Sequence, residues 1–296
     1  MKPRSYEEVE RHLLNHAKPL HSRSIDHIDR RAIAVRIAEI SEKSGAGAAN
    51  GVRRSLSAYF NWLHCEGMVE ANPVANTNPA GIIAARERVL SDGELAMIWR
   101  NLEDDQYGAI VRLLVLTGAR RDEIASLRWS EVDLDAAVIM LPPERTKNRR
   151  EQQIPLAPAA LAILQAQPHR MELDGTPRDL VFGFGARGFQ DWSGSKADLN
   201  ARIEAAGEPI ADWRLHDCRR STSTTMHERL GIMPHVVEAV LGHVSGHLAG
   251  VSGLYNKASY AELKRVALEK WATHVEALVT GKRPAGSVVK LRGRRA

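Results

Sequence analysis

The sequence predicts a mainly helical α+β protein: a helical N-terminal domain, then a second, mainly helical domain carrying one small β-hairpin. Three observations predict it. Apolar residues recur at helical spacing through most of the 296 residues. One pair of short apolar runs, 137–142 and 151–156, brackets a polar tip, as a hairpin does. Between residues 72 and 90, two Asn-Pro pairs and a glycine break the helical pattern and predict a linker.

In chain order, Tyr6, Val9, Leu13 and Leu14 give the first apolar stripe, Ile33, Val35, Ile37 and Ile40 the second, and Val52, Leu56, Tyr59, Phe60 and Leu63 the third. Ser44-Gly45-Ala46-Gly47 punctuates the last two, so residues 1–72 read as about four helices. Their outer faces carry Arg4, Arg11, Lys18, Arg23, Arg30, Arg31, Arg53 and Arg54, either as a solvated surface or as phosphate contacts. After the linker, Ser91 followed by Glu94 has the spacing of a capping box and predicts a helix start. Helices follow over about 107–117 and 121–128, then the hairpin, then helices over 158–167, 195–206, 217–230, 234–241 and 259–279. The domains predicted are 1–85, with a linker to about 90, and 86–281, with a basic, flexible tail over 282–296.

Composition narrows the function classes. No apolar run approaches the ~18 residues of a spanning helix, and the N-terminus has no secretion-signal pattern, so a cytoplasmic protein is expected. Two cysteines, Cys65 and Cys218, make neither a disulfide framework nor a four-cysteine zinc site. The net charge of +5 is unevenly spread. Residues 1–85 hold 11 Lys and Arg against 9 Asp and Glu, residues 86–281 hold 24 against 27, and the last fifteen hold 6 against none. A nucleic-acid argument must therefore rest on local patches, not on the total.

Several motifs lead nowhere. Gly183, Gly185 and Gly188 match G-x-G-x-x-G, but the residues after them read as loop and not as the helix a dinucleotide site requires. His12/His16 and His243/His247 are i,i+4 pairs without the glutamate or third ligand of a zinc site, and no metal is expected.

Four segments carry more chemistry. Thr117-Gly118-Ala119-Arg120-Arg121-Asp122-Glu123 is a glycine turn opening a helix, with Arg120 at its start and Glu123 one turn on. A guanidinium there suits an oxyanion with the carboxylate orienting it, or is a plain surface pair. Lys147 stands at the hairpin tip in ERTKNRRE, among Arg145, Arg149, Arg150 and, further back, Arg128: a finger for a groove, or a charged, solvated turn. His216 and Arg219 are i,i+3 and share one helix face, as a pair serving a phosphate or as a half-buried helix end with Arg220 beside it. Leu241-Gly242-His243 ends a helix with glycine stop chemistry, and Tyr255 lies twelve residues on.

Taken in order, Arg120, Lys147, His216, Arg219, His243 and Tyr255 resemble the catalytic signature of the tyrosine recombinase, or phage integrase, family. TGARRDEI resembles its first arginine box, with LRWSEVDL fitting after it. TKNRREQQIPL resembles its hairpin-lysine segment, LHDCRRS its H-x-x-R box and LGHVS its third box, and GVSGLYNKASY matches its nucleophile position. The likeness spans about residues 90–275 and is strongest to integrases of phages and genomic islands. Residues 1–85 resemble the family's helical core-binding domain by position and pattern, and no further arm-binding domain, such as island integrases often carry, is expected within them unless the chain is a fragment.

The resemblance implies a site-specific recombinase that exchanges strands between two duplexes through a 3′-phosphotyrosyl link, integrating or excising a mobile element. Tyr255 is then the nucleophile, Arg120 and Arg219 the phosphate clamp, Lys147 the general acid and His216 the proton acceptor or relay. His243 hydrogen-bonds the phosphate or positions Tyr255, and Glu123 orients Arg120. Arg53, Arg54, Arg145, Arg149, Arg150 and Arg220 are the further DNA contacts expected. The implied partners are double-stranded DNA at specific sites, a homotetramer on two sites and accessory DNA-bending proteins, with no cofactor, metal or membrane, in the cytoplasm at the nucleoid. Arg149 or Arg150 competes with Lys147 if the hairpin register differs, Tyr260 is a rival nucleophile, and delivery of Tyr255 in cis or in trans stays open. The alternatives are a topoisomerase IB-like enzyme that cuts and rejoins one duplex, and a DNA-binding family member that no longer cleaves. The long helix at 259–279, with Leu263, Val266, Ala267, Trp271, Val275 and Leu278 apolar, is expected to dock on a neighbouring protomer or to pack on its own domain.

Overall fold

The computed structural model describes residues 3–81, 86–172, 174–207, 209–243 and 260–282. The chain divides into two compact units, residues 1–87 and 88–296.

In the first unit, α1 (Pro3–Glu10) runs into a π-helical turn, Arg11–His16, and two short 3-10 turns lead to α2 (Arg30–Cys65). Asp29 caps α2 by accepting from the Ala32 amide at 2.7 Å. The second and third apolar stripes are two arms of this one element, broken where Gly45 takes a left-handed φ of 81°. Ile33, Ile37, Ile40, Val52, Leu56, Phe60 and Leu63 are buried together with Leu20 and Val74. Arg53 is half-buried, and its guanidinium donates to the Thr77 hydroxyl and carbonyl at 2.9 and 2.7 Å, tying α2 to the Asn-Pro segment.

The second unit opens with α3 (Asp92–Arg100), started by the expected Ser91/Glu94 capping box. Next comes α4 (Gln106–Thr117), ten of whose twelve residues are buried. A helix apolar on every side belongs in the middle of a domain, and α4 is the post around which the others pack. The short α5 (Arg121–Ala125) ends earlier than its sequence suggests, because Arg128 is extended and the Leu127 carbonyl accepts from the Val181 amide. The hairpin belongs to a three-stranded antiparallel sheet, β1 (Val132–Asp133), β2 (Val138–Leu141) and β3 (Gln152–Pro155), in that order. The register sets Val138 opposite Pro155 and Leu141 opposite Gln152. At two residues, β1 is too short to show alternation.

The remaining helices are α6 (Pro158–Gln165), α7 (Trp192–Ala205), α8 (Leu215–Glu228), α9 (Pro234–Leu241) and α10 (Ala261–Thr280). The G-x-G-x-x-G run opens no helix, since α7 starts at Trp192. α10 packs on its own unit: Ala267, Leu268, Trp271, Ala272 and Val275 are buried, and the Trp271 indole donates to the Val115 carbonyl of α4 at 2.7 Å. Leu263 and Val266 alone of the expected docking residues remain exposed. Among the described residues no helix is long and apolar enough to cross a membrane.

Candidate active site

The C-termini of α4 and α9 and the N-termini of α5 and α8 meet at one place. At the end of α4, Gly118 turns left-handed (φ 62°), and a Cβ there would sit 3.1 Å from Leu241 Cδ2. The turn delivers Arg120 to the cap position of α5. Glu123 is 4% exposed, and its two oxygens accept from the Arg120 amide at 2.9 Å and the Arg120 guanidinium at 2.8 Å. One buried carboxylate thus fixes both the backbone and the fork of Arg120.

Arg219, on the first turns of α8, is 4% exposed. Its guanidinium donates to the carbonyls of Gly118 and Leu241, at the C-terminal ends of α4 and α9. Those carbonyls lack intrahelical partners and stand at the negative ends of two helix dipoles, which is what makes so buried a cation tolerable. Burial first, and the neighbouring Arg120 cation second, push the Arg219 pKa down to about 10, so it stays charged at neutral pH.

His243 follows Gly242, which ends α9 in the left-handed region at φ 59°. Its Nε2 lies 3.0 Å from Arg219 Nη2 and its Nδ1 3.3 Å from Glu238 Oε1. His216, on the first turn of α8, has a solvent-exposed edge. Both imidazoles are held below the ordinary 6.5, by burial first and then by the Arg219 cation. Arg120, Arg219 and His243 therefore meet at one spot, and His216 lies close enough to feel the charge of both arginines. An oxyanion would find charge there, and a transferred proton would find a base.

The hairpin tip reaches the same spot. The buried Thr146 closes it, donating to the Arg150 carbonyl at 2.7 Å and accepting from the Arg150 amide at 3.1 Å. Asn148 Nδ2 donates to the Gly242 carbonyl at 3.1 Å, and Arg120 Nη2 approaches the same oxygen at 3.4 Å. Lys147, between them in sequence, is exposed and makes no hydrogen bond or ion pair with a described residue. Arg149, at φ 54°, and Arg150 are exposed beside it.

Arg145 does not join these exposed cations. It turns inward, donating to Ser126 Oγ at 2.8 Å and to the Glu123 carbonyl at 2.9 Å, with Nε 3.1 Å from Glu131. It buttresses α5 from below. Burial lowers its pKa and raises that of Glu131, each offset by the other's charge. Arg220 pairs with the buried Asp217 at 3.3 Å, while Arg54 is exposed on α2 in the first unit. Tyr255 lies outside the described residues, as does His247. The Tyr260 ring lies with its centroid 5.5 Å from that of His235 and tilted against it, at the far end of α9 from Gly242.

Gln152 and Glu238 escape a reading of motifs. Gln152 is buried at the start of β3, its amide donating to the Val240 carbonyl at 3.2 Å. The available signal is alternation: it shares the inward face of the strand with Ile154. Among the described residues no group of three or more His, Cys, Asp or Glu forms a metal site.

The phage integrase family model matches residues 90–261. Prophage integrase IntZ of Escherichia coli K12 is 28% identical over 270 residues, covering 88% of this chain and 63% of the relative. Prophage integrase IntA of the same strain is 27% identical, covering 79% of this chain and 57% of the relative. The chain thus spans about three fifths of the length of these two proteins. Tyrosine recombinase XerC of Xylella fastidiosa strain M23 is 27% identical over 125 residues, covering 40% of this chain and 42% of that protein. Two solved structures share the fold. A lambda integrase (75-356) dimer bound to a COC′ core site has a TM-score of 0.63 at 18% identity, covering 84% of this chain and 91% of that one. The Tn1549 transposon integrase in complex with transposon right end DNA has a TM-score of 0.64 at 16% identity, covering 92% and 95%.

Proposed function

The chain belongs to the phage integrase family, and from that premise we propose that it is a site-specific DNA strand transferase that works through Tyr255. The observation that carries this reading is the meeting of Arg120 and Arg219 beside the His243 imidazole, with the lysine-bearing hairpin docked on the Gly242 carbonyl.

In this reading Arg120 and Arg219 bind the two non-bridging oxygens of a DNA phosphodiester. Their rigid forks, held by Glu123 and by helix-end carbonyls, are set for the charge of the transition state before DNA arrives. The Tyr255 hydroxyl attacks phosphorus while His216 takes its proton. The bond to the 5′-oxygen breaks, and Lys147 protonates that oxygen as it leaves. The product is a 3′-phosphotyrosyl link and a free 5′-hydroxyl, which conserves the bond energy. Attack by a 5′-hydroxyl from a second duplex reverses the step and joins exchanged strands. His243 holds the Arg219 fork in place through its Nε2 lone pair. The first unit, with Arg54 exposed on α2, grips the duplex through its backbone. Four protomers on two sites, aided by DNA-bending proteins in the cytoplasm, complete the reaction that integrates or excises an element.

Covalent trapping tests this. Wild type and Tyr255→Phe are mixed with fragmented DNA from the source genome and its mobile elements, SDS is added, and protein-linked ends are sequenced. A 3′-linked adduct at one discrete site, absent in the variant, is expected. Adducts scattered without sequence preference would favour relaxation of one duplex, and salt-sensitive binding without adducts would favour a binder that does not cleave.

A further inference from the structure

Three of the hairpin's moorings lie at its tip and at the base of β3. Thr146 closes its tip on Arg150, the Gln152 amide holds the base of β3 to the Val240 carbonyl, and Asn148 ties the tip to the Gly242 carbonyl. The first two shape the hairpin. The third fastens the tip to the oxygen that Arg120 also approaches.

We infer that Asn148 is a positioning residue for Lys147: its hydrogen bond to the Gly242 carbonyl seats the hairpin tip beside Arg120, within reach of the leaving 5′-oxygen. This rests on the strand-transfer reading above.

The geometry supports it in detail. A carbonyl oxygen has two lone pairs, so Gly242 can accept from Asn148 and Arg120 together. The oxygen is itself fixed. Gly242 is left-handed and packed so closely that a Cβ would stand 2.6 Å from Gln152 Cδ. The Asn148 amide has one orientation, because Oδ1 faces the Arg150 amide at 3.4 Å while Nδ2 faces Gly242. Consecutive Cα atoms are about 3.8 Å apart, so anchoring Asn148 places the Lys147 backbone. The four-carbon lysine stem then has only a short arc left to search.

The step it serves balances. The tyrosine oxygen bonds to phosphorus and its proton passes to His216. The phosphorus–O5′ bond breaks with its electron pair on oxygen, and a proton from the Lys147 ammonium neutralises that oxygen. A tip displaced by about 1 Å delivers this proton poorly, and such misplacement can cost up to about 100-fold in rate.

Replacing the leaving oxygen by sulfur isolates the effect, because a thiolate is a good leaving group without a proton. Nicked duplexes carrying the site captured by wild type would be made with oxygen or bridging sulfur at the scissile 5′ position. Cleavage by wild type, Asn148→Ala, Asn148→Asp and Lys147→Ala would be timed on both, with melting temperatures compared. Asp keeps the size and the acceptor but cannot donate to Gly242. Both Asn148 variants are expected to cleave the oxygen substrate about 10–100-fold more slowly than wild type, and the sulfur substrate at close to the wild-type rate, at unchanged melting temperature. Lys147→Ala sets the upper limit of the same pattern. Equal slowing on both substrates, or no slowing on oxygen, overturns the role of Asn148 while leaving the strand-transfer reading intact. If wild type forms no adduct on either substrate, or Lys147→Ala slows both equally, the underlying reading fails and takes this inference with it.

Discussion

Nη2 of Arg219 stands 3.0 Å from Nε2 of His243. Arginine only donates, so Nε2 must accept, and the ring proton belongs on Nδ1, which faces Glu238 Oε1 at 3.3 Å. The contact requires neutral His243, which burial and the Arg219 cation enforce against the opposing pull of Glu238. Nuclear magnetic resonance titration of the His243 ring should give a midpoint below 6.5. Glu238→Gln removes the raising influence and should lower it further. Cleavage should fall as acid protonates the ring, because imidazolium cannot accept from Arg219. A midpoint at or above 6.5 in wild type would refute this account.

Gly242 joins two constraints that a methyl group would violate. Its φ of 59° is costly for any residue with a Cβ, and that Cβ would collide with the Gln152 amide. Gly242→Ala should destabilise the protein by about 2–4 kcal/mol, from backbone strain plus loss of the Gln152–Val240 hydrogen bond. For a domain of this size that lowers the melting temperature by roughly 5–12 °C. Adding Gln152→Ala removes the collision but not the strain, so the double variant should lose less than the sum of the singles. Strict additivity in thermal denaturation would show that the collision is not felt.

What the sequence made legible was written in contiguous residues. The Ser91/Glu94 capping box, the glycine turn before Arg120 and the Arg120–Glu123 pair each need neighbours three or four positions apart, and all three are present. Arg219 was legible as a candidate, but its carbonyl partners lie 101 and 22 residues away, and only tertiary folding brings them together. Arg145 looked like its neighbours at the hairpin, because nothing local distinguishes a cation facing solvent from one facing Glu131. The burial of α10 likewise depended on which surface its apolar stripe would meet. For that stripe, the α4 carbonyl of Val115 awaiting an indole was invisible in one dimension.

Lys264 is 5% exposed, and its ammonium donates to the Gln153 carbonyl on β3 at 2.6 Å. Burial pushes its pKa down to about 8 from 10.5. Below pH 8 both folded and unfolded chains hold the proton, and the folded state bears the cost of a buried charge. Between about 8 and 10.5 only the unfolded chain holds it, so this group's contribution to stability rises with pH. The stability of wild type minus that of Lys264→Met should therefore increase by on the order of 1–2 kcal/mol from pH 7.5 to 9.5. Urea denaturation at the two pH values measures it, and the difference cancels whatever the lost hydrogen bond costs. Parallel behaviour of the two proteins would mean that Lys264 titrates normally.

His12 works in the opposite pH range. It is buried in the first unit with Nδ1 2.9 Å from the Ser55 hydroxyl, and its ring lies so close to Gly51 that a Cβ there would stand 2.9 Å from Cε1. Burial is the main cause that lowers its pKa. The charges of Arg11, His16 and Arg54 add to it, and Glu8 opposes. A depressed histidine favours folding when neutral. Its contribution is complete above the unfolded value of about 6.5 and is lost as pH falls below that, because the unfolded chain takes up the proton first. Hydrogen exchange in the full chain should show amides of α2 around Val52, Leu56 and Phe60 losing protection between pH 7.5 and 5.5, after correction for the intrinsic exchange rate. His12→Gln keeps a polar partner for Ser55 but cannot titrate, so its α2 protection should vary less over the same interval. Carboxylates elsewhere affect both proteins alike, which leaves the difference to His12. If α2 in the glutamine variant loses as much protection as in wild type, the acid sensitivity has another source.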